Sequence, residues 1–396
     1  VLDIRLATEA DREPIALVTA LSFNEERANA DELSARPLTG TLCATEAGSV
    51  VGTASAYQLV QWFGANKVPC AGVAGVAVLP EHRGRGIAKA LVRELLVHRR
   101  ASGDALSALY PANSQLYRTL GYEYAGLHPK FLVPVGDLPA SRGPVELADH
   151  EDQAGLERLR ACFSRFAAQH NGPVEWADTH LWAEHALAHK GDGLHQRTVF
   201  VSGPSGVEGY ASYFTAHDAQ RHSVVATCKH FVALSANALT ALLGYFRHFE
   251  NSASHLGWSG SPTAVPIGMA ASTNGFAVVP AASRWMLRLL DVPRALEARG
   301  YPAGAEAELV FCVADPLFDD NAGPWCLEVA GGKARVGPTT ASPGDPLPIG
   351  LLSSLYSGFV SPFDLVALGA INPGDPRIAP LTEIFAGPTP WMPDSF

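Results

Sequence analysis

The sequence predicts an α+β chain with mixed α/β-type sheets, built as two copies of one fold followed by a smaller domain. Three observations carry this. Short apolar strands alternate with amphipathic helices. A strand, turn, strand, strand, helix order runs through residues 1–143 and partly repeats through 144–284. The remainder, 285–396, consists of short strands separated by turns, then two short helices. Length agrees, since 396 residues at roughly 150 per domain make two or three domains.

In the first copy, Ile4 to Leu6 read as a strand, and Ile15, Leu17, Val18 and Leu21 cluster on one face of the next helix. Two strands flank the turn residues Glu46 to Ser49, and the apolar run Val73 to Val78 supplies another. Ala88, Leu91, Val92, Leu95 and Leu96 repeat along a helix from Ile87 to Arg100, the pattern of a helix packed on a sheet. ALSALYP is a strand and SQLYRTLGY a short helix, and GDLPASRGP closes the unit. The second copy opens on the helix EDQAGLERLRACFSRFAAQ and continues through the strands TVFVSG, VEGYASYF and ATCKHFVAL to a helix from Ala236 to Phe249. Its strand-to-helix joint, FVALSANALT, lacks the glycines of the first copy. The third unit begins at RWMLRLLDVPRALEARGYP, places two short helices around Ser361 and Pro362, and ends PTPWMPDSF. Free ends usually fray into polar tails, whereas Trp391, Pro390 and Pro393 equip this one for burial. Trp285, Trp325 and Tyr356 are expected in cores.

With 47% hydrophobic and 17% charged residues the chain can bury large cores. A net charge of -10 argues against nucleic acid and favours cationic partners. The six cysteines lie apart with no Cys-x-x-Cys pair, which suggests reduced thiols rather than disulfides or zinc. No leader pattern opens the chain, and the apolar stretches fall short of the roughly 20 residues that span a bilayer, so a cytoplasmic protein without membrane partners is expected. The sequence begins at Val1, so an initiator methionine or leader is expected to be missing. His185 and His189 have the spacing of a two-histidine site, but Glu184 precedes the pair instead of following the first histidine, so no metal is expected.

The most informative stretch is VAVLPEHRGRGIAKALV, Val76 to Val92. A strand ends at a proline, and a turn with Gly84 and Gly86 enters a helix whose unpaired N–H groups carry partial positive charge. Such a terminus suits phosphate, glycine removes the Cβ atoms that would hold an anion away, and Arg83 and Arg85 add charge. There is no Gly-Lys-Ser/Thr of a P-loop, and no Gly-x-Gly-x-x-Gly after the first strand. His82 either contacts phosphate or caps the turn.

His82-Arg83-Gly84-Arg85-Gly86-Ile87-Ala88 resembles the coenzyme A pyrophosphate loop of the Gcn5-related N-acetyltransferase superfamily. The resemblance implies acetyl-CoA as cosubstrate, with Arg83, Gly84, Arg85, Gly86, Ile87, Ala88 and Lys89 at its pyrophosphate. It also implies a preceding strand splayed from its neighbour, so that Val76, Ala77 and Val78 hold the pantetheine arm beside Ala112 and Asn113. Tyr117 falls where many members place the acid that protonates the departing thiolate. A phenol with a reference pKa of about 10 can donate to a thiolate titrating near 8.5.

The intact loop in one copy, its loss in the next, and the phrases LYRTLGY and RWMLRLLDVPRALEARGY resemble, in order and over essentially the whole chain, the enhanced intracellular survival (Eis) family. That resemblance implies a catalytic acetyltransferase domain at 1–143, a degenerate one at 144–284, and a sterol carrier protein 2-like domain at 285–396 whose end enters the active site. It also implies a homohexamer, and amines on cationic small molecules such as aminoglycosides or basic peptide antibiotics as substrates. The general base falls on the terminal carboxylate, here that of Phe396, acting in a ternary complex. Such a group has a reference pKa of about 3.3 to 3.7, and a dry pocket would raise it toward working range. The residues Asp394 and Ser395 depart from the family's acid-then-Phe ending. Phe23 and the acidic Glu25 and Glu26 are candidates for the substrate mouth. Transfer to protein lysine, and lipid binding by the last domain on an acetyltransferase scaffold, are the alternative functions.

Overall fold

The computed structural model describes residues 2–23, 38–141, 143–148, 152–187, 196–262, 277–341, 344–394 and 396. The strands of the first copy are β1 (Leu2–Leu6), β2 (Thr41–Glu46), β3 (Ser49–Phe63), β4 (Asn66–Val78), β5 (Leu106–Leu109) and β6 (Glu123–Pro134). Those of the second are β7 (Glu146–Leu147), β8 (Val174–Trp176), β9 (Arg197–Gly203), β10 (Gly206–Asp218), β11 (Ser223–Ala233), β12 (His255–Ser259) and β13 (Ala277–Leu289). The helices are α1 (Arg12–Phe23), α2 (Ile87–Ala101), α3 (Ser114–Arg118), α4 (Gln153–Ala167), α5 (Thr179–Ala186) and α6 (Ala236–Arg247), then α7 (Val292–Ala298), α8 (Ile349–Ser357), α9 (Pro362–Ala367) and α10 (Ile378–Ile384) in the last domain.

Among the described residues, all thirteen of these strands join one sheet in the order β1-β2-β3-β4-β5-β13-β6-β12-β11-β10-β9-β7, with β8 on β3. The centre of that order is an exchange. β13, from the end of the second copy, lies antiparallel between β5 and β6, and β6 lies antiparallel between β13 and β12. Each copy therefore completes its sheet with a strand of the other. The expected boundary between residues 284 and 285 falls inside β13. Trp285, Met286, Leu287 and Leu289 are all 0% exposed, as is Arg288. A strand covered on both faces loses its alternation and reads as a continuous apolar run, which is why RWMLRLL looked like the opening of a new unit.

α1 corrects one expectation. Leu17 and Leu21 are 57% and 52% exposed, while Ala16, Val18, Thr19 and Ala20 face the sheet. The helix lies on β3 and β4, and small side chains allow that close approach. α2 follows its pattern, with Ile87, Leu91, Val92, Leu95 and Leu96 buried.

The last domain is a four-stranded sheet, β16 (Lys333–Pro338), β15 (Gly323–Ala330), β14 (Ala307–Ala314) and β17 (Leu347–Pro348), in that order across the sheet. Two close contacts are among those that fix it to the large sheet. Arg288 of β13 pairs with Asp315 at 2.6 Å, both side chains fully buried. Gly64 and Gly300 meet backbone to backbone, so closely that a Cβ on Gly64 would lie 2.0 Å from the Gly300 carbonyl oxygen. Trp285 and Tyr356 are fully buried as expected, and Trp325 is only partly so, its indole N–H donating to the Asn321 carbonyl at 3.0 Å. No helix among the described residues is long and apolar enough to cross a membrane.

Candidate active site

The parallel ladder between β4 and β5 runs from Cys70–Leu106 to Gly72–Ala108 and stops there. β4 continues to Val78 beside β3 alone, and Gly75, at φ 59°, sits where the register with β3 shifts. Bulges of this kind bend a strand away from its neighbour. Past Gly72 the two strands thus form a fork, and Val76, Ala77 and Val78 present one backbone edge to it. Gly84 and Gly86 follow at φ 76° and 80°, and an added Cβ would meet nothing within 4 Å at either. The helix α2 begins immediately afterwards, with Ile87 buried beneath its first turn and Arg83, Arg85 and Lys89 exposed around it. Open space before a helix N-terminus, with cations at the rim, fits a pyrophosphate.

The cations are already oriented. Arg83 donates from Nε to the Val78 carbonyl at 3.0 Å, tying the loop to the end of β4. Arg85 makes a two-point pair with Glu46 at 2.5 and 2.9 Å, and the same carboxylate lies 3.0 Å from His82 Nδ1. Hydrogen bonding from Arg85 lowers the Glu46 pKa. Glu46 ends β2, 39 residues from Arg85, and no sequence signal connects the two.

Tyr117 lies on α3, which Asn113 caps by accepting from the backbone of Gln115 at 3.0 Å and Leu116 at 3.4 Å. Ala112 and Asn113 are exposed, whereas Tyr117 is 6% exposed and packs edge-on to Tyr122 at 5.9 Å. Tyr122 is held by Ser107 of β5 at 2.6 Å. Burial raises the Tyr117 pKa, so the phenol is held as a proton donor. Gly121, at φ 86°, leaves room for the Arg288 guanidinium, which an added Cβ would strike.

The chain's last segment crosses into this fork. Trp391 bridges Leu127 of β6, and its indole is 1% exposed against Phe166 and His170. Met392 donates to the Leu127 carbonyl at 3.0 Å. The phenol of Tyr110, just past β5, donates to the Asp394 carbonyl at 2.8 Å and stands 3.1 Å from His128 Nδ1. Asp394 also meets His230 of the second copy, Nε2 to Oδ1 at 2.8 Å. The Phe396 ring lies against Gly72, where an added Cβ would stand 2.9 Å from Cε2, and edge-on to Tyr110 and Trp176. The fork thus holds the Phe396 ring at Gly72, while the loop follows the free end of β4 and Tyr117 packs on Tyr122, itself bonded to β5. Tyr110, His128, Tyr210 and His230 were not singled out, because their only sequence signal is a scattering of single polar residues on apolar strands. Phe23 ends α1 at 46% exposure, and Glu25, Glu26 and His189 lie outside the described residues. Among the described residues no cluster of three or more His, Cys, Asp or Glu is arranged to hold a metal.

An acetyltransferase (GNAT) domain family matches residues 3–125, another family of the same description matches 173–289, and a sterol carrier protein domain family matches 292–393. The fold and fork therefore define a GNAT-type N-acetyltransferase, an enzyme class that uses acyl-CoA. Within that class, two GNAT domains followed by a sterol carrier protein domain support an Eis-like arrangement. It is similar to an uncharacterized N-acetyltransferase of Streptomyces griseus, 27% identical over 100% of both chains. It is 28% identical to the N-acetyltransferase Eis of Mycobacterium tuberculosis over 78% of this chain and 76% of that one. Among solved structures, Eis1 of Mycobacterium abscessus aligns over 100% of both chains at 27% identity and a TM-score of 0.81. A GCN5-related N-acetyltransferase of Anabaena variabilis does so at 25% identity and 0.92.

Proposed function

We propose that the first copy transfers an acetyl group directly from acetyl-CoA to a primary amine of a cationic small molecule, an aminoglycoside or basic peptide antibiotic being the type. The observation that carries this reading is the convergence of Phe396 on Gly72, the last residue paired across the fork. Arg83, Gly84, Arg85, Gly86, Ile87, Ala88 and Lys89 receive the pyrophosphate at the start of α2. Val76, Ala77 and Val78 hold the pantetheine along the free edge of β4, with Ala112 and Asn113 beside it. The cosubstrate supplies a thioester carbonyl carbon, which the amine attacks, forming the C–N bond as the C–S bond breaks. The carboxylate of Phe396 accepts the ammonium proton, and Tyr117 gives its proton to sulfur. The negative charge of the carboxylate draws the cationic amine. Phe23 borders the acceptor mouth, and the working assembly is a homohexamer in the cytoplasm.

Lipid carriage is the weaker reading. The apolar cavity inside the last domain, lined by Leu296, Leu309, Phe311, Leu352 and Phe385, measures about 30 Å³, room for roughly two or three waters and not for a lipid chain. The test is a panel of aminoglycosides, polyamines and lysine peptides with acetyl-, propionyl- and longer acyl-CoA, read by thiol release. Deleting Phe396, or adding one alanine after it, is expected to abolish turnover while acetyl-CoA binding persists. Full turnover in either variant removes the carboxylate from the mechanism, and a preference for lysine peptides removes the small-molecule acceptor.

A further inference from the structure

We infer that the second copy takes part in the reaction of the first, through His230 as a positioning residue that docks the final segment and so sets Phe396 at the fork. The inference rests on the proposed role of the Phe396 carboxylate. β11 repeats the geometry of β4. Its parallel ladder with β12 ends at Cys228–Trp258, Lys229 is extra in the register with β10, and the strand runs on to Ala233. His230 lies two residues beyond the last β12 pair, as Ala74 lies two beyond Gly72 in the first copy. The mouth of this second fork receives Asp394 of the chain's own final segment.

Asp394 is held from both copies. His230 meets its carboxylate at 2.8 Å, with side-chain exposures of 1% and 7%. Behind the imidazole, Tyr210 Oη lies 2.9 Å from Nδ1 and the Phe163 ring stacks at 5.0 Å. From the first copy, Tyr110 grips the Asp394 carbonyl, and His128 is steadied in turn by Ser259 at 3.0 Å. Tyr110 donates its proton to that carbonyl, so it accepts from His128 Nδ1, and His128 Nε2 accepts from Ser259. Phe396 follows two residues later, and two residues of extended chain reach at most about 7 Å. An error in Asp394 therefore passes almost undiminished to the carboxylate. Two apolar side chains would bury this joint with equal or better stability, whereas a directional pair fixes its orientation. A reacting group misplaced by about 1 Å can cost about 100-fold in rate.

The test uses the full-length enzyme and the variants His230→Ala, His230→Gln and Tyr210→Phe. Three quantities are read: kcat, acetyl-CoA affinity by calorimetry, and the rate at which a carboxypeptidase releases Phe396. For His230→Ala, kcat is expected to fall about 100-fold, with acetyl-CoA affinity unchanged and Phe396 released faster. His230→Gln, which keeps an N–H donor toward Asp394, is expected to recover most of kcat, and a role in stability alone would not produce that recovery. Tyr210→Phe loses only a hydroxyl and gives the same trend more weakly if His230→Ala fails to fold. An unchanged release rate overturns the docking. Faster release with undiminished kcat upholds the docking and overturns both the carboxylate's role and the positioning built on it.

Discussion

The two acetyltransferase copies share one frame and end it differently. Gly52 in β3 and Gly209 in β10 sit under equivalent helices. A Cβ on Gly52 would meet the Ala77 carbonyl, Ile87 and Leu91, and one on Gly209 the Val232 carbonyl, Ala238 and Leu242. Between those landmarks the first copy spends ten residues, Ala77 to Ile87, and the second six, Val232 to Ala238. The four extra residues make the open glycine turn. In the shorter joint, Ser235 caps α6 by accepting from Ala238, and its hydroxyl donates to Glu208 at 2.8 Å. A carboxylate thus stands beside the start of α6, where the first copy has an open glycine turn before α2. The first fork keeps an open glycine turn beyond it, whereas the second holds the chain's own Asp394 against His230.

The contrast can be broken at several points. Removing the phenol in Tyr117→Phe is expected to lower kcat by about 10² to 10⁴-fold, the range of general acid catalysis, without altering acetyl-CoA affinity in calorimetry. Because burial raises this pKa above its ordinary value of 10, the donor form persists through neutral pH. A basic limb in the wild-type pH–rate profile well below pH 10 therefore belongs to another group, and its persistence in the residual activity of Tyr117→Phe would agree. Placing an acid at the start of α2, as Gly86→Glu, adds strain at φ 80° and repulsion toward pyrophosphate. Acetyl-CoA should bind about 10²-fold more weakly, from the sum of roughly 1–2 kcal/mol of left-handed strain and a similar charge term. Full affinity in that variant would exclude the loop as the phosphate site.

A smaller effect is expected inside the fork. Gly72→Ala presses on Leu59 and on the Phe396 ring, and both are side chains that can shift. A displacement of a few tenths of an ångström should reduce kcat about 10-fold with little change in acetyl-CoA affinity. The smallest effect belongs to Glu208→Gln, which keeps a partner for Ser235 and should alter kcat less than about twofold. A large loss there would mean that the second joint acts in catalysis.

What the sequence disclosed was local. The turn Arg83 to Ala88, the strand before it and the apolar face of α2 are each legible because neighbours in the chain determine them. The dressed ending was legible too, since Trp391 and Met392 are 1% and 0% exposed. Leu17 and Leu21 were misplaced because one apolar stripe does not say which side of a helix the sheet will cover when small residues occupy the alternative face. The Asp394 to His230 contact joins residues 164 apart, and no periodicity marks either of them. The strand exchange escaped for a similar reason: apolarity identifies a central strand without naming its neighbours.

That exchange has a consequence for synthesis. β13 ends at Leu289 and fills the place between β5 and β6. A ribosome making the chain at about 5–20 residues per second has long released the first copy before that strand emerges. During the interval one edge of β5 and both edges of β6 are unsatisfied, open to wrong partners. The last plank of the catalytic domain arrives only when its degenerate twin is almost complete, so neither is expected to survive as an isolated fragment.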